Sequence, residues 1–137
     1  MNTVTEVNLE LFELGKFFTI TGRRLAGGQS APEMFSAAID AAWHRLAEDP
    51  IVHSEFAKAH AGRDLTHAET GGRGVIEWVT AYEAAYGPLP VIWFTNSDGV
   101  VDSATLARYR ETGVVVAEWN CSPAPGDGDA VPENTVR

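Results

Sequence analysis

The chain has a single cysteine, Cys121, among its 137 residues. An internal disulfide is therefore excluded, and the composition suits a reducing compartment. Basic residues are also scarce: ten Lys and Arg stand against nineteen Asp and Glu, a net charge of -9. A nucleic-acid duplex or an anionic bilayer would meet repulsion instead of counterion-releasing attraction, so no nucleic acid and no membrane is expected as a partner. Apolar runs are short, none approaching the roughly 18 residues that a bilayer span requires. The opening "MNTVTEVNLELFELG" carries acids where a signal peptide needs a basic region and an unbroken apolar stretch. A soluble, cytoplasmic protein is the expectation, and no internal repeat is found.

What is present is an ordinary globular composition, 45% hydrophobic and 21% charged, enough for one core in one domain. That domain is expected over residues 1–120, with 121–137, rich in Pro, Gly and acids, as a disordered tail. A helical stripe of Val7, Leu11, Leu14, Phe18 and Leu25 predicts a first helix, although "FFTIT" favours β structure and Gly15 interrupts it. The break "AGGQSAPE" leads into a helix over 32–48. Asp49 and Pro50 then open a short helix that Gly62 closes. "RDLTHAETGGR" reads as irregular, and Val75, Trp78, Val79, Tyr82, Ala85 and Tyr86 mark an amphipathic helix over 73–86. "PVIWF" and "VVVAEW" read as strands flanking a helix capped by an acid and ended by Gly113. Their pairing, parallel or antiparallel, is left open by the pattern. The fold class is mainly α with a small C-terminal β element (α+β), a compact helical domain of four to five helices and two short strands.

Candidate chemistry centres on "AIDAAWHRLAEDP". Phe35, Ile39, Ala42 and Leu46 carry the apolar stripe, with Trp43 at its border, while Asp40 and His44 lie further round. An Asp and a His at i, i+4 can touch, and the carboxylate would set the imidazole tautomer and raise its basicity. The small Ala37 and Ala41 leave room for another segment to enclose the pair; the alternative is a solvated helix surface. All four histidines, His44, His53, His60 and His67, fall within one stretch. Asp40, His44 and His67 could form a two-histidine, one-carboxylate set, but no histidines flank a glutamate at zinc-protease spacing, so spacing alone assigns no metal. His53 and His60 read as surface residues. An EF-hand and a P-loop are excluded by "FTNSDGVVDSAT" and "TGGRG", which lack the required ligands and lysine. Cys121 has no nameable base beside it and reads as structural. The four tryptophans, Trp43, Trp78, Trp93 and Trp119, read as core anchors.

"IDAAWHRLAEDPIVHSEFAKAHAGRDLTH" followed by "WVTAYEAAYGPLPVIW" resembles the pattern of bacterial proteins related to the glycine-rich-domain-containing family. The matching positions are Asp40, Trp43, His44, Phe56, Gly62, His67, Tyr82, Tyr86, Gly87, Pro90, Ile92 and Trp93. This chain departs from the pattern at His53, where an aromatic is usual, at Ala57, where a cysteine is usual, and in keeping one histidine near His67 instead of two. The resemblance implies a compact helical domain and makes Asp40, Trp43, His44 and His67 one spatial cluster; it implies no reaction.

The leading functional expectation is a non-catalytic binding or accessory module without a cofactor. It would meet a protein or small-molecule partner through an acidic surface and an aromatic edge, with Trp43 and Trp93 as binding residues. The alternative is a small enzyme or metal-binding protein in which His44, oriented by Asp40, acts with His67 as second base or ligand. A third reading makes the C-terminal tail a docking segment.

Overall fold

The structure is a computed structural model that describes residues 2–126, with side chains from residue 9 onward. Helix α1 (Asn2–Ala26) is the longest element. It runs straight through "FFTIT" because Leu14, Phe17, Phe18 and Ile20 all lie in the core, and burial on this scale overrides β propensity. The hydroxyls of Thr19 and Thr21 donate to the carbonyls one turn back, at 2.9 and 2.8 Å, which satisfies them inside the helix. Gly15 is a packing feature and not a break: the His60 ring lies where a Cβ would stand.

Helix α2 (Ala37–Ala47) begins later than the expected 32–48 span, because Ser36, whose Oγ accepts from Ile39 N at 3.2 Å, supplies the N-cap. Ser36 itself is extended, and Met34 bridges Cys121. Helix α3 (Pro50–Ala61) has the expected ends: Asp49 Oδ1 accepts from Ile51 and Val52 N, and Gly62 adopts a left-handed φ of 77°.

Strand β1 (Leu65–Val75) occupies the segment read as irregular. It pairs antiparallel with β2 (Val116–Pro125), and the register shifts between Glu69 and Gly72. Its sequence lacks alternation because cross-strand pairing, and not burial of one face, holds it: most of its middle is exposed. Because β1 continues to Val75, the expected 73–86 helix starts only at Val79 (α4, Val79–Tyr86). "VIWF" is a 3₁₀ turn, Val91–Phe94, and not a strand. The consecutive Trp93 and Phe94 are both buried, and the tight helical turn carries both into the core. The expected strand pair around α5 (Ser103–Thr112) therefore does not form, although the Asp102 cap and left-handed Gly113 of α5 are as read.

Strand β2 also corrects the tail boundary, since ordered pairing continues through Pro125; residues 127–137 of the expected tail lie outside the described residues. The core is aromatic, with Phe17 within 6.2 Å, centroid to centroid, of Trp43, Trp78 and Trp93. The expected architecture of helices with a small β element is present. No helix among the described residues is long and apolar enough to cross a membrane.

Candidate functional site

Capping by Ser36 places Asp40 in the first turn of α2, and the β1/β2 ribbon packs against that turn. Three side chains converge on its carboxylate. His67 Nε2, from β1, lies 2.9 Å from Oδ1; Cys121 Sγ, from β2, donates to the same oxygen at 3.2 Å; His44 Nε2, one helical turn along, lies 3.3 Å from Oδ2. Asp40 and His67 are largely enclosed, with side chains 26% and 18% exposed, whereas His44 is 61% exposed. The enclosed alternative for the Asp40–His44 pair thus holds for the acid, whereas His44 stands exposed as in the solvated alternative. Ligand atoms of Asp40, His44 and His67 all lie within 4.8 Å of one another, and the two imidazole rings sit 4.4 Å apart, centroid to centroid.

Trp43 and His53 hold this cluster from behind. The Trp43 ring meets the His67 ring edge-on at 4.5 Å, and its Nε1–H donates to His53 Nε2 at 3.0 Å. His53 is buried and not a surface residue. Burial lowers its pKa, against the raising effect of the Asp64 charge and with a smaller lowering from His67. The neutral imidazole so favoured carries its proton on Nδ1, leaving Nε2 to accept from the indole. Spacing did not indicate this role; the signal was the indole N–H itself, which needs an acceptor when buried. His60 lies elsewhere, its ring tilted against Phe56 at 4.5 Å, centroid to centroid, over Gly15.

Burial first, and then the adjacent Asp40 charge and hydrogen bond, push the Cys121 thiol pKa up, so it stands as a protonated donor. The residues beside Cys121 in sequence name no base for it; pairing of β2 with β1 is what brings the thiol to Asp40.

Trp43 and Trp93 do not form an exposed aromatic edge. Both are fully buried, and their N–H groups are spent internally, Trp43 on His53 and Trp93 on Glu13 Oε1 at 3.0 Å. Glu13 is a fully buried carboxylate with no counterpart in the sequence reading: Tyr82 donates to Oε1 at 2.6 Å and Lys16 to Oε2 at 3.0 Å. Its signal was an acid set within the apolar run "LELFELGKFF".

Chemically, the Asp40 cluster offers one carboxylate and two imidazoles whose Nε2 atoms point at it. Such a set can hold a proton between acid and base, or release its protons and hold a cation. No protein-family model, no curated protein and no solved structure matches the chain.

Proposed function

We propose that the protein binds one divalent transition-metal ion through Asp40, His44 and His67. The observation that carries this reading is the convergence of their three ligand atoms within 4.8 Å. Donors around a tetrahedral zinc, with bonds of about 2.0–2.1 Å, lie about 3.3 Å apart. His67 Nε2 and His44 Nε2 stand 2.9 and 3.3 Å from different Asp40 oxygens, so rotation of the exposed His44 side chain toward Oδ1 brings the three donors to ligating separation as the ion takes the place of the imidazole protons. Two imidazoles and a carboxylate suit zinc, iron(II), cobalt or nickel, whereas calcium and magnesium require mostly oxygen donors. The chain's net charge of -9 favours cation capture.

Membership of the group related to the glycine-rich-domain-containing family is part of the same proposal, since Asp40, Trp43, His44 and His67 belong to the motif that suggests it. So is a reducing, cytoplasmic setting, in keeping with a free, buried Cys121. The metal-free module with an aromatic edge loses its support at Trp43 and Trp93, which are inside the core.

Isothermal titration of the chelator-treated protein with zinc tests the reading. One ion per chain is expected, with binding abolished or strongly weakened in Asp40→Asn and His67→Ala. Absence of saturable binding, or equal affinity in folded Asp40→Asn and His67→Ala variants, overturns it.

A further inference from the structure

Cys121 stands against the cluster without a part in the three-residue site. The ribbon register explains its position: His67 pairs with Pro123 and Glu69 with Cys121. Directly opposed residues of an antiparallel pair share a face, and so do residues two apart along a strand. His67 and Cys121 are therefore diagonal neighbours on one face of the ribbon, the face that meets α2 at Asp40.

We infer that Cys121 is the fourth ligand of the metal, closing Asp40, His44 and His67 into a tetrahedral site that clamps α2 to both strands. The inference rests on the metal-site reading above. With a zinc–sulfur bond of about 2.3 Å, a thiolate and a carboxylate oxygen sharing the ion lie about 3.6 Å apart. Cys121 Sγ is already 3.2 Å from Asp40 Oδ1, and His67 Nε2 is 2.9 Å from the same oxygen. Two of the four ligands thus stand beside Oδ1 at slightly less than their final separations, drawn in by the hydrogen bonds that the ion replaces. His44, bound to the other oxygen and the most exposed of the set, has the freedom to swing inward. On binding, the Sγ–H proton passes to solvent as the sulfur–metal bond forms, and each imidazole that carries its proton on Nε2 gives it up to solvent while Nδ1 takes one up, so that a neutral ring binds through the Nε2 lone pair.

Four protein ligands leave no open coordination position. The ion then acts as a structural clamp in a non-catalytic module, and the thiolate selects zinc or cobalt(II) over magnesium, manganese and calcium.

Cobalt(II) titration of the full chain, followed by absorption, tests this directly, because Cys121 is the only possible source of a thiolate. The expected result is a thiolate-to-cobalt charge-transfer band in the near ultraviolet with intense tetrahedral visible bands. In Cys121→Ser and Cys121→Ala the charge-transfer band disappears and affinity falls by more than about 100-fold, beyond the 10–100-fold effect of a partner that only orients a ligand. Stoichiometric cobalt binding that needs Asp40 and His67 but shows no charge-transfer band overturns the role of Cys121 and leaves the three-residue site intact. No cobalt or zinc binding overturns both.

Discussion

Glu13 gives the sharpest test of how the scaffold is held. Its carboxylate is 2% exposed and accepts from Tyr82 Oη at 2.6 Å, from Trp93 Nε1 at 3.0 Å and from Lys16 Nζ at 3.0 Å. It thereby joins α1 to α4 and to the 3₁₀ turn. Glu13→Ala strands the phenol and the indole N–H, each inside the core, at about 1–3 kcal/mol apiece. The Lys16 ammonium keeps some access to water and adds less. A loss of about 4 kcal/mol is expected, within the 3–5 kcal/mol typical of removing one side of a buried charged pair. That is a large part of a total stability of about 5–15 kcal/mol. Glu13→Gln keeps an oxygen for Tyr82 and Trp93 but turns an amide toward Lys16, and should cost about 1–2 kcal/mol. Urea unfolding checks both through the shift in midpoint at constant slope. The Tyr82 hydroxyl adds an independent readout. Burial first, and then the hydrogen bond and charge of Glu13, hold its pKa far above the usual phenol range, and Glu13→Ala should bring its ultraviolet titration down. A loss below about 1 kcal/mol for Glu13→Ala, or equal losses for Ala and Gln, refutes the assignment of Glu13 as the acceptor that holds these elements together.

Three further outcomes follow from the packing and the site. The folded pKa of His53 lies below the ordinary 6.5, so between those two values the unfolded chain binds a proton that the folded chain does not. Stability is full above about pH 6.5 and falls as pH drops through that window; metal-free thermal unfolding from about pH 7.5 to pH 5 should show the slope, and His53→Gln should flatten it. A Cβ on Gly22 would stand 2.2 Å from the Ala61 carbonyl oxygen, so Gly22→Ala forces α1 and α3 apart and should cost about 1–3 kcal/mol in urea unfolding. Gly71→Ala, with open space around it, serves as the near-neutral control. Zinc at about 100 times its dissociation constant should raise stability by about 2.7 kcal/mol, and His67→Ala should abolish that gain in a thermal scan.

Two elements whose ends depend on chemistry within one turn were legible in the sequence, although the Ser36 cap of α2 was not. Asp49, Pro50 and Gly62 bound α3, and Asp102 and Gly113 bound α5, because each cap acts on backbone groups a few residues away. Elements defined by distant partners were not. The "LTHAETGGRGV" strand shows no alternation and exists through its pairing with 116–125. "VIWF" carries a strand composition yet coils into a tight turn that carries two adjacent aromatics into the core. The site divides along the same line. Asp40 and His44 could be paired from their i, i+4 spacing, whereas the nearness of His67 and Cys121 depends on a ribbon that local pattern does not announce.

Glu13, set beside Asp40, shows why one carboxylate is read as scaffold and the other as a site. Glu13 and Asp40 each gather three side-chain donors, and each ties together separate elements. The difference lies in what the donors become on losing a proton. An indole N–H and a phenol held well above its usual pKa keep their protons near neutral pH, so the Glu13 network can only be satisfied or broken. The partners of Asp40 are two imidazoles and a thiol, each of which offers a metal an electron pair once its proton leaves. His44, exposed to solvent, gives an ion a way in. Exchange of protons for a cation at Asp40 keeps every group partnered, whereas the same exchange at Glu13 leaves an indole that has no lone pair to offer. This asymmetry requires chelator treatment to loosen the contact of α2 with the ribbon in metal-loaded protein and to leave the contact of α1 with α4 unchanged. Hydrogen exchange at the amides of β1 and α4 reads the two separately, and equal loosening at both would remove the distinction on which the metal assignment rests.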